Sequence, residues 1–206
     1  MKKKHSELVF IVDRSGSMHS ISSDMEGAMK EVIKNQKEKE EDILVTYVRF
    51  DSEYEEVFSE KSISEIDGFK LEPRGSTALL DAVAKTVNTF ERKFNQKDEE
   101  DRPDKVLFII ITDGYENDSK EFSRKQLFEI IEKVKRDCDW GFTFIGANQD
   151  SISEGSSIGV TRGSSLNYAA SADGVRSMTK SVTNYVSDYM ETGNASYNDE
   201  DSTEIK

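Results

Sequence analysis

Val106-Leu107-Phe108-Ile109-Ile110-Ile111-Thr112-Asp113-Gly114 decides the fold. This short, unbroken apolar run reads as a strand from Lys105 to Thr112, buried on both faces of a parallel sheet. It stops at an aspartate, Asp113. Near the start of the chain Leu8-Val9-Phe10-Ile11-Val12 repeats the pattern: continuously apolar, rich in β-branched residues, and ending at Asp13. Two buried strands that each finish on an aspartate put two carboxylates on one edge of one sheet.

The segments between and beyond them alternate strand and helix. After the polar Arg14-Ser15-Gly16-Ser17, apolar residues recur at Met18, Ile21, Met25, Met29, Val32 and Ile33, the spacing of a helix with one buried stripe. Ile43 to Phe50 reads as a second strand. Asp51-Ser52-Glu53 turns it back into a shorter antiparallel edge strand, Tyr54 to Phe58, whose Glu55 and Glu56, with Glu53 of the turn, suit an exposed edge. A loop from Ile66 to Ser76 leads to a second amphipathic helix, Ala78 to Phe94. Past the Lys105–Thr112 strand, the pattern predicts a third helix marked by Phe122, Leu127, Ile130, Ile131 and Val134, then a strand over Trp140–Gly146. A short helix over Asp150–Ile158, a final strand over Gly159–Leu166 and a last helix over Ser171–Met190 complete it. The expected fold is α/β: an open, doubly wound, mostly parallel Rossmann-like sheet with one antiparallel edge strand and helices on both faces. Ligands of such sheets bind beyond the carboxyl ends of the strands, where strand order switches. Asp13 and Asp113 are both expected there.

Composition bounds the function. The 206 residues carry 28 Lys and Arg against 41 Asp and Glu, a net charge of −13. With no basic stripe beyond Lys2-Lys3-Lys4, nucleic acid is excluded as a partner. The single cysteine, Cys138, rules out an internal disulfide and a cysteine-based zinc site. The apolar run after Met1–Lys4 is too short for an export signal, and no run approaches the ~20 residues of a membrane helix. The chain is expected to be cytoplasmic, with no membrane partner. Residues 1–190 read as one domain and 191–206 as an acidic, disordered tail.

Three loops far apart in the chain supply Asp13, Ser15 and Ser17, then Thr77, then Asp113. Every donor is an oxygen. Hydroxyls and carboxylates are hard ligands that suit Mg²⁺ or Mn²⁺, whereas zinc favours imidazole and thiolate. Each piece has a plainer reading: Ser17 and Thr77 are also placed to cap the helices that follow them, and Asp113-Gly114 to form a turn. Glu116-Asn117-Asp118 and Asn148-Gln149-Asp150 lie near the same edge and read as ordinary polar loops. His19 reads as solvent-facing.

Taken together, Val12-Asp13-Arg14-Ser15-Gly16-Ser17-Met18, Pro73-Arg74-Gly75-Ser76-Thr77-Ala78-Leu79 and Ile111-Thr112-Asp113-Gly114 resemble the von Willebrand factor type A (VWA) domain with its metal-ion-dependent adhesion site (MIDAS), over about residues 6–190. The resemblance implies that Ser15, Ser17 and Thr77 bind a Mg²⁺, Mn²⁺ or Ca²⁺ ion through their hydroxyls. Asp13 and Asp113 would act mostly through waters, with one position left for an Asp or Glu carboxylate of a partner protein. Similar domains occur in adhesion proteins, chaperone-like partners of AAA+ ATPases, chelatases and bacterial stress-response clusters. An AAA+ ATPase or complex partner is thus among those implied, and the chain looks like the intracellular bacterial or phage-borne members. A tail carboxylate such as Glu204 is an internal contender for the same position. The expectation is a binding module, not an enzyme. Two other readings stay open: a Mg²⁺-dependent phosphoryl-transfer enzyme with Asp13 as nucleophile, and a scaffold acting through a metal-independent surface.

Overall fold

The computed structural model describes residues 5–39, 42–147, 150–198 and 201. Its strands are β1 (Ser6–Asp13), β2 (Ile43–Phe50), β3 (Tyr54–Ser62), β4 (Lys105–Thr112), β5 (Gly141–Ala147) and β6 (Ser165–Tyr168). Its helices are α1 (Ser22–Lys37), α2 (Leu79–Gln96), α3 (Arg124–Cys138), α4 (Ser151–Ser157) and α5 (Ala172–Thr192). The strands form one six-stranded sheet in the order β3-β2-β1-β4-β5-β6. β3 is antiparallel to β2, and the other pairings are parallel. This is the expected Rossmann-like architecture. Successive connections leave β1 on one side to β2 and return on the other to β4, so the switch in strand order falls between β1 and β4.

The alternation of side chains along the two central strands builds a core on each face. Leu8, Phe10 and Val12 of β1 and Leu107, Ile109 and Ile111 of β4 pack under α1 and α5, against Met25, Met29, Val32, Met178, Val182 and Val186. Val9 and Ile11, with Val106, Phe108 and Ile110, meet α2 and α3 through Val83, Val87, Leu127 and Ile131. Phe108, Phe142, Phe90 and Trp140 interlock on that second face, with Phe108 stacked on Phe142 at 4.7 Å between ring centroids. Covering both faces is why these strands are continuously apolar through Leu8–Val12 and Val106–Ile111 rather than at alternate positions.

Three elements depart from expectation. The final strand occupies Ser165–Tyr168 rather than Gly159–Leu166, because Gly159 takes a left-handed turn (φ +94°) after α4 and Arg162–Ser164 form a 3-10 turn. β3 runs on to Ser62, with pairing irregularities opposite Tyr47 and a left-handed Glu60 (φ +51°). Its Glu55 is no idle edge charge: it pairs with Arg14 at 2.7 Å and Arg49 at 3.0 Å.

The third departure is the segment after α5, expected to be disordered from residue 191. Its described part is held against the body. α5 ends at a left-handed Gly193 (φ +79°), and the Tyr197 N–H donates to the Gly163 carbonyl at 2.7 Å. The Tyr197 ring stacks on Tyr185 at 4.4 Å, and its hydroxyl lies 3.0 Å from that of Thr143. A single aromatic with a stacking partner fixes a stretch that has no periodicity to reveal it. Asn148, Gln149 and, in the tail, Asp199, Glu200 and residues 202–206, Glu204 among them, lie outside the described residues. Among the described residues, no helix is long and apolar enough to cross a membrane.

Candidate metal centre

Asp13 closes β1 and is fully buried. Its Oδ1 accepts the Ser15 N–H at 2.6 Å, and its Oδ2 accepts the Thr112 hydroxyl at 2.7 Å from the end of β4. The first bond folds the loop back on itself; the second ties β1 to β4 at the switch point. The chain then enters a 3-10 turn, Gly16–Ser20, before α1. That turn leaves the Ser15 and Ser17 hydroxyls 3.1 Å apart, and the Ser17 Oγ–H donates to Asp113 Oδ1 at 2.6 Å. Ser17 therefore does not cap a helix; its hydroxyl faces the aspartate at the end of the other strand.

Thr77 is not a cap either. α2 begins at Leu79, with Ala78 at the cap position and no side-chain cap bond. Thr77 is buried, and both of its backbone groups are held from the loop after β4. Its N–H donates to Asn117 Oδ1 at 2.9 Å, and its carbonyl accepts the N–H groups of Asn117 and Asp118 at 3.0 and 3.2 Å. Gly114 lies between the two hydroxyls: a Cβ there would stand 3.7 Å from both Ser17 Oγ and Thr77 Oγ1. The structure thus brings Asp13, Ser15, Ser17, Thr77 and Asp113 to one place at the carboxyl edge of the sheet. His19 is exposed, and Asp150 caps α4 by accepting the Ser153 N–H.

Ion pairs frame the opening. Arg14 and Asp51, both buried, pair at 3.2 Å, and Arg74 reaches Asp51 at 2.8 Å. The backbone adds Arg14 N–H to Phe50 carbonyl and Arg74 N–H to Arg14 carbonyl, each at 2.7 Å, and Gly16 N–H to Gly75 carbonyl at 3.2 Å. Gly75 is left-handed (φ +68°), a conformation that costs glycine nothing. The loops bearing Ser15, Asp51 and Thr77 are thereby one unit.

Burial pushes the Asp13 carboxyl up to about 6 against the pull of the Thr112 and Ser15 bonds, with Asp113 adding repulsion. Burial also raises Asp113, opposed by the Ser17 bond. Tyr168 is fully buried, and its hydroxyl has no partner among the described residues. Burial, and then the charges of Asp113 and Asp13, hold its pKa well above the ordinary range. Two carboxylates and three hydroxyls in one place, with no nitrogen or sulfur ligand, fit a hard divalent cation. Among the described residues no group of three or more His, Cys, Asp or Glu is placed for a metal, so a centre here rests on its hydroxyls.

Sequence reasoning missed two positioning residues. Thr112 was on view as the first member of Thr112-Asp113-Gly114. Asn117 stood in a loop read as ordinary. The burial of Tyr168 near the aspartates also had no signal, because it depends on where β6 ends.

No curated protein matches the sequence. Solved structures do share its fold. Proximal thread matrix protein 1 from the mussel byssus, in a structure described as having a zinc-occupied MIDAS motif, matches with a TM-score of 0.62 at 16% identity, over 88% of this chain and 45% of that one. The ArnB paralog VWA2 from Sulfolobus acidocaldarius matches with 0.58 at 15% identity, over 90% and 45%. A mutant of the PilB minor pilin from Streptococcus sanguinis matches with 0.57 at 11% identity, over 94% and 64%. The chain thus spans less than two thirds of each of these structures. The sequence profile of the von Willebrand factor type A domain matches residues 7–193. With that match extending from β1 to the end of α5, the chain belongs to the von Willebrand factor type A domain family.

Proposed function

We propose that the chain is a metal-dependent protein-interaction module. Asp13, Ser15, Ser17, Thr77 and Asp113 hold a divalent cation, and a partner protein supplies an Asp or Glu carboxylate. The observation that carries this reading is the 2.6 Å bond from Ser17 Oγ to Asp113 Oδ1, which joins loops 96 positions apart beside the Thr77 hydroxyl. A bound cation would supply a Lewis-acidic centre for one outside anionic oxygen.

The rest is the work of the chain's own residues. Ser15, Ser17 and Thr77 offer neutral hydroxyl oxygens, and Asp13 and Asp113, acting mostly through waters, would offset the ion's charge only from a distance, so the ion would stay open to an anion. Thr112 and the Ser15 N–H keep Asp13 turned to the opening, and Asn117 keeps Thr77 in place. The oxygen-only set favours Mg²⁺ or Mn²⁺, with Ca²⁺ as a third choice. The zinc described at the MIDAS motif of the mussel protein supports a divalent ion at the matching place here.

The same residues speak for binding over phosphoryl transfer. A phosphoryl-transfer site of this kind would call for a second acid two positions after Asp13, and Ser15 stands there instead. Calorimetry with Mg²⁺ and Mn²⁺, followed by a pulldown with Mg²⁺ or EDTA, tests the reading, with Asp13→Ala as control. Uptake of one ion and EDTA-sensitive capture absent in Asp13→Ala support it; no uptake of either ion overturns it.

A further inference from the structure

Three large apolar side chains stand out as exposed among the described residues: Val57, Phe128 and Tyr115. Tyr115 is the most exposed of them, at 58%, and it lies two residues after Asp113. The exposure does not come from a slack loop. On one side, Gly114 is closed onto Thr112, whose hydroxyl accepts the Gly114 N–H at 3.2 Å. On the other, Asn117 and Asp118 are bound to Thr77. Between these anchors Glu116 is drawn inward: its Oε1 accepts the N–H groups of Asp118 and Ser119, and its Oε2 accepts the Leu80 N–H at 3.0 Å and the Ser119 hydroxyl at 2.7 Å. With Glu116 turned in, its neighbour Tyr115 is turned out, held on a fixed backbone one residue from the Gly114 that faces Ser17 and Thr77.

A rigid, solvated aromatic at the rim of a binding site is the residue type that becomes an interface anchor, since it gives a large contact area with little side-chain entropy to lose. Charge narrows the occupant. The chain carries −13, so a partner with a run of acids is repelled over the distance that salt leaves unscreened. A single carboxylate meets the cation without that opposition.

We infer that Tyr115 and the metal opening form one docking surface for a protein segment that carries a lone Asp or Glu with a large apolar side chain next to it. The inference rests on the metal reading above and deepens it: the metal takes the acid, and Tyr115 selects its neighbour.

The test uses the full chain and labelled peptides of equal length in fluorescence anisotropy with Mg²⁺: one with a lone Asp beside Trp, one with Gly in place of Trp, and one with a run of Asp. The lone-Asp, Trp-bearing peptide should bind roughly tenfold tighter than its Gly counterpart. That gap should close in Tyr115→Ala, persist in Tyr115→Phe, and leave Mn²⁺ uptake unchanged in both. The Asp-run peptide should bind weaker than the Trp-bearing one, most clearly at low salt. A gap that survives Tyr115→Ala overturns the proposal, as does a stronger Asp-run peptide. Mn²⁺ uptake with no peptide bound overturns the docking surface while leaving the metal reading intact; absent uptake overturns both. A Mg²⁺-dependent dimer abolished by Tyr115→Ala would give the face to a second copy of the chain and overturn the proposed occupant.

Discussion

Strand β1 buries a carboxylate near each end, and the molecule surrounds the two differently. Asp13, at the carboxyl end, has a donor on each oxygen and stands among hydroxyls and loop backbone. Glu7, near the other end, has the Thr46 hydroxyl on Oε1 at 2.6 Å, while Oε2 is buried with no partner among the described residues. Burial pushes Glu7 up to about 7 from 4.5; Thr46 opposes that, Glu60 adds to it, and Lys97 and Lys93 pull the other way. The carboxyl ends of the parallel strands release their chains into loops whose N–H and O–H groups turn toward the opening. The amino end offers Glu7 a donor on one oxygen only. Burial raises both acids, Asp13 to about 6 and Glu7 to about 7, but only the one at the carboxyl end stands among further hydroxyl and carboxylate oxygens that could share a cation.

The largest change expected comes from removing the frame at the Asp13 end. Asp51→Ala strips two arginines, one of them buried, of their shared carboxylate and should cost about 4 kcal/mol of stability in urea denaturation. A small effect would mean that the loops hold without the ion pairs.

Glu7→Gln tests the other end. A carboxyl that titrates near 7 folded and 4.5 unfolded keeps its proton longer in the folded state, so the penalty from Glu7 is absent below about pH 4.5, grows as pH rises to about 7 and is constant above that. The substitution should recover about 3 kcal/mol at pH 8 and almost nothing at pH 4. Equal gains at both pH values would mean that burial does not hold the Glu7 proton.

Asp13→Ala should lower Mn²⁺ affinity about 100-fold in calorimetry while leaving the fold intact by circular dichroism. Thr112→Val removes one of the two donors that aim Asp13 and should cost about tenfold in the same measurement. Asn117→Ala leaves the Thr77 N–H without its acceptor and should cost only a few-fold, about 1 kcal/mol. If Asn117→Ala weakened Mn²⁺ more than Thr112→Val, the ranking of the two supports would be reversed.

The buried strands and the meeting of Asp13 with Asp113 were legible because both are one-dimensional signals. An apolar run ended by an aspartate states burial and position together. The three hydroxyls were legible as a spacing, although helix capping explained Ser17 and Thr77 equally well until the 3-10 turn at Gly16 and the cap at Ala78 placed them elsewhere. What escaped acts through backbone. Asn117 matters because its amide meets the Thr77 peptide from a loop 40 positions away, a pairing that no periodicity encodes. The late start of β6 escaped because a left-handed Gly159 diverts a stretch whose composition still suits a strand. Tyr197 escaped because one ring in a polar stretch makes no pattern.

That ring has a practical corollary. Tyr197 shields the face of Tyr185 and the Thr143 hydroxyl at the far flank of the sheet. Trimming the protein at the end of α5 to obtain a tidier sample would bare an aromatic surface on the side away from the aspartates. A shortened preparation that clumps would then report this missing cover, and its poor behaviour in a binding assay would say nothing about the opening at the other edge.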